Sequence, residues 1–512
     1  MRGEAKGPVV DAAAAREYVE LTRSLPIPEQ IDWEDAPGQF KLYRGHPRIP
    51  LDESGTGGLA RLLRDCYGVT RYRWTAADAL RRLIGTRGAE PAGGAKLARN
   101  SLRPVPSGGS RFPAELYVVT GPGAEVPPGV HHYDQAHHAL VTLREGDWTA
   151  ELGAALGMAG AAPALTLLTS AFFWKNGFKY ADLTYRLCAL DVGVLLGQVL
   201  AVAAARTAGE VRYRFADDDL DRLLRLDPMR ESVYTAVTFG SHGEAPPSPR
   251  RLADAAQPSR TNTLSDSEQE WSLDARPLQA RLHRGSRLSA VAAVAAPPAI
   301  TASGSAGGPE LRLSGHRVAL LDGLRTRRSS MGYFTPAGMS LDTLSALLAP
   351  ALDGYRNDLA DTPAVRHTML YCVVNRVDSV APGVYRLRPG ETLLEPVRLG
   401  DLSGELQESL LIKLFNLAHT NLCVYPVGDY EAGFGVHGDR WYRMQNIEAG
   451  VVTQRLYLAC AALGLRCHAS LGYDVRRTDR LLGLDGTGAT SLIQVMIGSG
   501  RPPGDFYEAA WH

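Results

Sequence analysis

No two cysteines in this chain have the CxxC spacing of a redox or zinc motif. The six thiols, Cys66, Cys188, Cys372, Cys423, Cys460 and Cys467, are scattered, several of them in apolar runs where a reduced thiol behaves as a small hydrophobe. They are expected to be structural. Neither sign of charge is in excess, with 55 Lys and Arg against 55 Asp and Glu. No net field therefore recruits nucleic acid or an anionic membrane, and a charged partner must be met by local patches. The stretch Met1 to Ala15 lacks an apolar core of the signal-peptide kind, and a reducing cytoplasm is the expected location. The longest apolar run, Ala189 to Ala205, has 17 residues and carries Asp191 and Gln198. It reads as a helix in a protein core and not as a membrane span.

What the chain does have is length and internal repetition. At 512 residues it is long enough for two to four domains, each able to bury a sizeable core. Four anchors recur in one order at nearly one offset. Leu116-Tyr117 matches Leu370-Tyr371, and Pro128-Gly129-Val130 matches Pro382-Gly383-Val384, both 254 apart. Tyr185-Arg186, Asp191 and Gly193 match Tyr442-Arg443, Glu448 and Gly450 at 257, and Asp221 to Asp227 matches Asp479 to Asp485 at 258. Collinear anchors imply a tandem duplication, with domains at 1–240 and 310–512. The Pro-, Ala- and Ser-rich stretch 241–309 between them reads as a linker, most of which cannot pack a core, with a short helix near Gln269 to Leu288.

Each half repeats one order of elements: an amphipathic helix (Leu59 to Cys66; Leu341 to Leu352), a strand (Glu115 to Thr120; Thr368 to Asn375) and a second strand after the PGV turn. A long apolar helix (Leu183 to Ala205; Trp441 to Leu463) and a last strand (Val233 to Phe239; Leu492 to Ile497) complete it. A helix that apolar is expected to pair with its copy.

The halves differ in three places. The first carries about 31 extra residues that include Arg103 to Pro113 (RPVPSGGSRFP). A Pro-Ser-Gly-Gly turn bares backbone N–H groups toward a flat polar ring or a phosphate, although a plain surface loop has the same composition. The second half has Arg327-Arg328-Ser329-Ser330 before its first helix, which suits a phosphate clamp or equally a solvated basic run. Lys179-Tyr180 in the first half falls opposite Val436-His437 in the second. Such a pair can serve as general acid and base when its environment shifts it toward neutrality, and it can also be a snorkelling Lys beside a core Tyr.

Together these segments resemble the nitroreductase-like flavoproteins, and among them the FMN-dependent azoline dehydrogenases that make thiazoles and oxazoles in ribosomally derived peptides. The resemblance lies in Arg103 to Val119, Pro127 to Asp134, KYADLTYR (Lys179 to Arg186), RRSSMGYF (Arg327 to Phe334) and SLGYD (Ser470 to Asp474). It implies an α+β fold of two tandem nitroreductase-like domains, each a mostly antiparallel sheet flanked by helices, forming an intramolecular pseudo-dimer. It further implies one FMN, held by Arg103, Pro106, Ser107, Gly108, Gly109, Arg327, Arg328, Ser329, Ser470, Leu471, Gly472 and Arg501. Lys179 and Tyr180 would be catalytic, dioxygen would reoxidise the flavin, and the substrate would be an azoline-containing precursor peptide made by a separate cyclodehydratase. Met331 departs from the family, which has a second basic residue there, so the phosphate would lean on Arg327, Arg328, Ser329 and Arg501.

No metal site is expected from His131, His132, His137 and His138, which lack a Cys or carboxylate cluster to complete one. Two other functions stay open: an NAD(P)H-dependent nitro or quinone reductase of the same fold, and a flavin-free scaffold within a peptide-modifying complex.

Overall fold

A computed structural model of the chain describes residues 11–24, 31–33, 35–52, 57–76, 97–204, 209–240, 270–291, 300, 310–359, 367–501 and 506–510. The N-terminal ten residues and most of the 241–309 stretch lie outside them. The strands in chain order are β1 (Arg48–Pro50), β2 (Arg71–Ala76), β3 (Leu97–Leu102), β4 (Ala114–Thr120), β5 (Gly129–Asp134), β6 (Ala139–Glu145), β7 (Leu165–Phe172), β8 (Gly209–Arg212) and β9 (Glu231–Phe239). The second half supplies β10 (Leu311–Arg312), β11 (Thr368–Val374), β12 (Gly383–Leu387), β13 (Leu393–Leu399), β14 (Leu422–Asp429), β15 (Arg466–Ser470), β16 (Ala489–Ser491), β17 (Gln494–Gly498) and β18 (Phe506–Ala510).

Two large sheets result, with strand orders β1-β6-β5-β4-β7-β9-β8 and β10-β13-β12-β11-β14-β17-β15, β16 pairing with β14 beside the second. Their named ladders are antiparallel, and the two orders correspond strand for strand. Even an irregularity repeats, since the register shifts after Val130 in β5 and after Val384 in β12. The duplicated Asp-Arg-Leu-Leu segment has a structural task in both copies. Asp221 accepts from Ser232 Oγ at 2.9 Å and Val233 N at 2.9 Å, and Asp479 from Thr490 Oγ1 at 2.7 Å and Ser491 N at 2.8 Å. Each carboxylate thereby ties its helix to its strand.

The long helices, Thr184–Ala204 and Arg440–Ala462, pack on each other and are buried for almost their whole length, as the apolar run required. Their crossing is centred on the repeated glycines. A Cβ on Gly193 would lie 2.1 Å from the Ile447 carbonyl oxygen, and one on Gly450 would lie 2.4 Å from that of Leu190. No side chain fits at either position, so the backbones themselves are in contact.

Three features add to the sequence reading. The helix expected over Leu341 to Leu352 ends at Leu348, just before Pro350, which has no N–H to continue the hydrogen-bond ladder. The helix expected near Gln269 to Leu288 is Pro277–Ser286, with Ala280, Leu282 and His283 buried, so this part of the connection packs into the core. The extra residues of the first half include the antiparallel pair β2–β3, which with β18 from the far end of the chain forms a third, three-stranded sheet.

A buried ion cluster joins both halves to the connecting helix. Asp217, fully buried, accepts from Arg440 Nη1 and Arg443 Nη2, both at 2.5 Å, and Arg440 Nη1 also donates to the Ser286 carbonyl at 2.9 Å. Burial works against the charged carboxylate, but the two guanidiniums outweigh it and hold Asp217 below the ordinary carboxylate range.

Candidate functional site

The Ser-Gly-Gly turn follows an extended Ser107 and closes as a single 3-10 turn over Gly108–Ser110. Gly109 has φ +58, and Ser110 and Phe112 are also left-handed at +56 and +52, a cluster of conformations that side-chain-bearing residues adopt at a cost. The turn is pinned from below. Ser107 Oγ donates to Asp191 Oδ2 at 2.8 Å and accepts from Phe112 N at 2.8 Å, while Gly108 N reaches Asp191 Oδ1 at 3.4 Å.

Lys179 and Tyr180, at the end of the short helix Trp174–Tyr180, meet this turn. A Cβ on Gly109 would lie 2.4 Å from Tyr180 Oη and 2.8 Å from Lys179 Nζ, so a side chain there would displace both groups as well as strain the left-handed backbone. Ala181 behind them is strained at φ +44. Two elements that the sequence marked as private to the first half therefore form one surface. Arg111 joins them, its Nε donating to the Gly109 carbonyl at 3.1 Å and its guanidinium packing 5.6 Å from the Phe178 ring and 5.9 Å from the Trp33 ring. Lys179 Nζ lies 5.4 Å from the Trp33 ring, which is exposed. Burial first, and Arg111 second, lower the Lys179 pKa to about 8. Burial pushes the Tyr180 phenol the other way, above its ordinary value. The two groups are thus separated in role: near neutrality the lysine can take a proton and the tyrosine remains a donor.

The second half gathers its own set. Ser329 Oγ donates to Tyr457 Oη at 3.2 Å, and the same phenol oxygen accepts from Ala469 N at 2.8 Å. Arg327 lies 5.5 Å from the Tyr457 ring. Tyr457 thereby fastens the Arg327–Ser330 segment to β15, which ends at Ser470, and the contact is reinforced by Ser330 N donating to the Cys467 carbonyl at 2.7 Å. Ser470 Oγ accepts from Gly472 N at 2.9 Å, folding the Ser470–Gly472 loop on itself. Leu471 is half-buried and Gly472 buried. Arg501 is exposed, its backbone N–H bonded to Tyr333 O at 3.1 Å, which places it beside the same segment, and Arg328 is half-buried there.

Arg327 and Arg103 connect the two sets. Arg327 Nη2 donates to the Arg103 carbonyl at 3.2 Å, and Arg71 Nη2 donates back to the Arg327 carbonyl at 2.7 Å. The Arg103 guanidinium points elsewhere, buried 4.4 Å from the Tyr67 ring and 4.5 Å from that of Phe112. Its backbone, followed by Pro104, Val105 and Pro106, carries the contact into the turn.

At the place equivalent to Lys179-Tyr180 the second half is closed. His437 stacks on the Trp441 indole at 5.7 Å, and burial lowers its pKa to about 4. The indole presses against Gly433, where a Cβ would lie 2.0 Å from its ring. The histidines weighed as metal ligands are engaged locally, His131 with Thr120 and Thr142, His132 with Glu115, His137 with Asp134 and His138 with Tyr133.

Arg111, Trp33, Asp191 and Tyr457 were not singled out from sequence. Arg111 lay inside the quoted motif, and Asp191 was visible only as a repeat anchor. Tyr457 stands opposite Leu200 at the repeat offset, an asymmetry of the same kind that exposed Lys179.

Comparison with known proteins fits this geometry. Residues 324–500 match the model of the Nitroreductase family. A crystal structure from Anabaena variabilis that carries the nitroreductase name superposes with a TM-score of 0.73 at 22% identity, covering 96% of this chain and all of that one. Both halves thus have the nitroreductase fold in tandem. In sequence, the chain is 28% identical over 146 residues to the trifolitoxin-processing protein TfxB of Rhizobium leguminosarum bv. trifolii, a match over 27% of this chain and 39% of that protein. It is 26% identical over 161 residues to a Methanocaldococcus jannaschii protein that also carries the nitroreductase name, covering 30% of this chain and 80% of the relative.

Proposed function

We propose that this tandem nitroreductase-fold protein is an FMN-dependent dehydrogenase that oxidises thiazoline or oxazoline rings of a cyclised precursor peptide to aromatic azoles. The observation that carries the reading is the meeting of Lys179 and Tyr180 with Gly109, on a turn that packs through Arg103 against the Arg327–Ser330 segment of the other half. The residues suit FMN. The buried hydroxyl of Ser330 lacks a hydrogen-bond partner beside two arginines and Ser329, a donor set for phosphate oxygens. The strained turn carries no side chain at Gly108 or Gly109, which lets its backbone lie close to Lys179 and Tyr180, where a flat ring would be met. Arg327, Arg328, Ser329 and Arg501 would hold the phosphate, and the turn and the Ser470–Gly472 loop would flank the ring system.

When bound, FMN supplies the two-electron acceptor. The substrate ring gives up two hydrogens, one as a proton and one as hydride with both electrons, leaving an aromatic azole. Lys179 Nζ takes the acidic ring proton. With a pKa of about 8, about a tenth of it is neutral at pH 7. Tyr180 keeps its proton and offers a hydrogen bond to the developing charge. The similarity to a protein named for trifolitoxin processing supports a biosynthetic peptide as substrate, with a cyclodehydratase as the partner that forms the azoline.

The family match itself favours a rival, reduction of nitro or quinone compounds by NAD(P)H. The purified protein should show a flavin absorption spectrum and, in air, remove two hydrogens per ring from an azoline peptide as read by mass spectrometry. Steady NAD(P)H consumption with no change in the peptide would establish the rival, and a colourless protein that cannot be loaded with FMN would leave only a scaffold.

A further inference from the structure

Asp191 lies on the long helix Thr184–Ala204, two residues before the glycine at the helix crossing. It is buried, yet it is not part of an ion pair among the described residues. Its carboxylate is directed at the underside of the Ser107–Gly109 turn, taking the Ser107 hydroxyl on one oxygen and the Gly108 amide on the other. Because Ser107 Oγ also accepts from Phe112 N, one carboxylate fixes both ends of the strained segment that presents Gly109 to Lys179 and Tyr180. The duplicate position, Glu448, has a related task with a different outcome: it accepts from His367 N at 3.2 Å and Thr368 Oγ1 at 2.7 Å, holding the start of β11 where no Ser-Gly-Gly turn exists. The long helix thus uses an acidic residue in each half to grip the backbone that crosses it, and only in the first half is the gripped segment the candidate site.

We propose that Asp191 is the positioning residue that sets the Ser107–Gly109 turn against Lys179 and Tyr180, and so governs both flavin seating and proton transfer. The proposal rests on the FMN reading for flavin seating and on the dehydrogenase reading for proton transfer, while the hold on the turn stands on the geometry alone. Asp191 touches neither Lys179 nor Tyr180 by any hydrogen bond among the described residues, so it acts through the turn. The polar and titratable groups around it are Arg103 and Ser107 from the turn, Asn176 and Tyr180 from the short helix, Tyr67 from the helix Gly57–Tyr67 and Cys188 from its own helix. Burial outweighs the bonds from Ser107 and Gly108 and raises the carboxyl pKa to about 7. The grip on the turn therefore changes strength within the physiological range: the carboxylate accepts both bonds above that pH, and protonation removes charge from the acceptor below it.

Two readouts test this without substrate. In flavin-free protein, the infrared band of protonated carboxyls should contain a component that titrates near pH 7 and disappears in Asp191→Asn. Asp221, at about 6, should leave a second component that persists. FMN affinity, measured by quenching of flavin fluorescence, should fall about tenfold in Asp191→Ala, the worth of one net hydrogen bond to a charged group. With azoline peptide and saturating FMN, the rate of the parent should fall more steeply than first order in proton concentration below pH 7, where Asp191 and Lys179 are both being protonated. Asp191→Asn, which keeps the shape of the side chain, should retain the Lys179 dependence alone. An infrared component that survives Asp191→Asn, or an FMN affinity unaltered in Asp191→Ala, overturns the assignment. A protein that passes both tests yet leaves azoline peptides unoxidised overturns the dehydrogenase reading and not the role of Asp191 in holding the turn.

Discussion

Lys179 and Tyr180 are adjacent in sequence and both substantially buried, yet burial moves their proton affinities in opposite directions, because it disfavours the ammonium in one and the phenolate in the other. The lysine is the group whose charge state changes near neutrality. Azoline oxidation should therefore rise with pH and level off above about 8, since the protonated lysine is inactive as a base and deprotonation activates it. Lys179→Ala should slow the reaction by about 10² to 10⁴, the usual contribution of a general base, with the bound flavin's visible spectrum unchanged. Arg111 contributes to the depressed lysine pKa, so Arg111→Gln should move the pH midpoint upward. A pH profile of kcat on flavin-loaded protein reads both effects. A midpoint that ignores Arg111 would place proton transfer on a different group.

At the scale of elements, the crossing of the long helices and the cluster at Asp217 hold the halves together. Gly193→Ala or Gly450→Ala inserts a methyl where the opposite backbone leaves no room, and overpacking of this kind costs about 1 to 3 kcal/mol. A denaturant midpoint should register the loss. Asp217→Asn leaves Arg440 and Arg443 buried without their counter-charge, a loss of about 3 to 5 kcal/mol. In the parent, the stability from this cluster is present above the unfolded carboxyl value near 3.8 and is lost as pH falls through the depressed folded value. Acid unfolding followed by circular dichroism should show the parent resisting to lower pH than Asp217→Asn.

Much of this architecture was legible in the sequence because duplication supplies its own control. A residue repeated in both copies, such as Gly193 with Gly450 or Asp221 with Asp479, marks a structural task, while one private to a single copy, such as Lys179, marks a divided one. The third sheet was not legible, because pairing of β18 with β2 joins segments from opposite ends of the chain and no local period records it. The roles of Asp191 and Arg103 were hidden for a related reason. A carboxylate inside an apolar helix and an arginine inside a turn motif do not announce whether side chain or backbone meets the partner.

In the proposed enzyme, the whole molecule builds one composite site. The first half brings the Ser107–Gly109 turn with Lys179 and Tyr180, the second brings Arg327, Ser329 and the Ser470–Gly472 loop, and the second copy of the lysine–tyrosine position is closed by Trp441. Loss of charge-assisted contacts worth about 1.5 to 3 kcal/mol each means that Arg327→Ala combined with Ser329→Ala should weaken FMN binding on the order of a hundredfold. Each single change also removes an internal bond, that of Arg327 to the Arg103 carbonyl across the halves and that of Ser329 to Tyr457, so circular dichroism of both single variants should accompany the binding measurement. The most direct test of the composite site is flavin stoichiometry. Protein saturated with FMN, freed of excess, then denatured, should release one FMN per chain; a ratio near two would mean that each half keeps a site of its own, and a ratio near zero would mean that no flavin site exists.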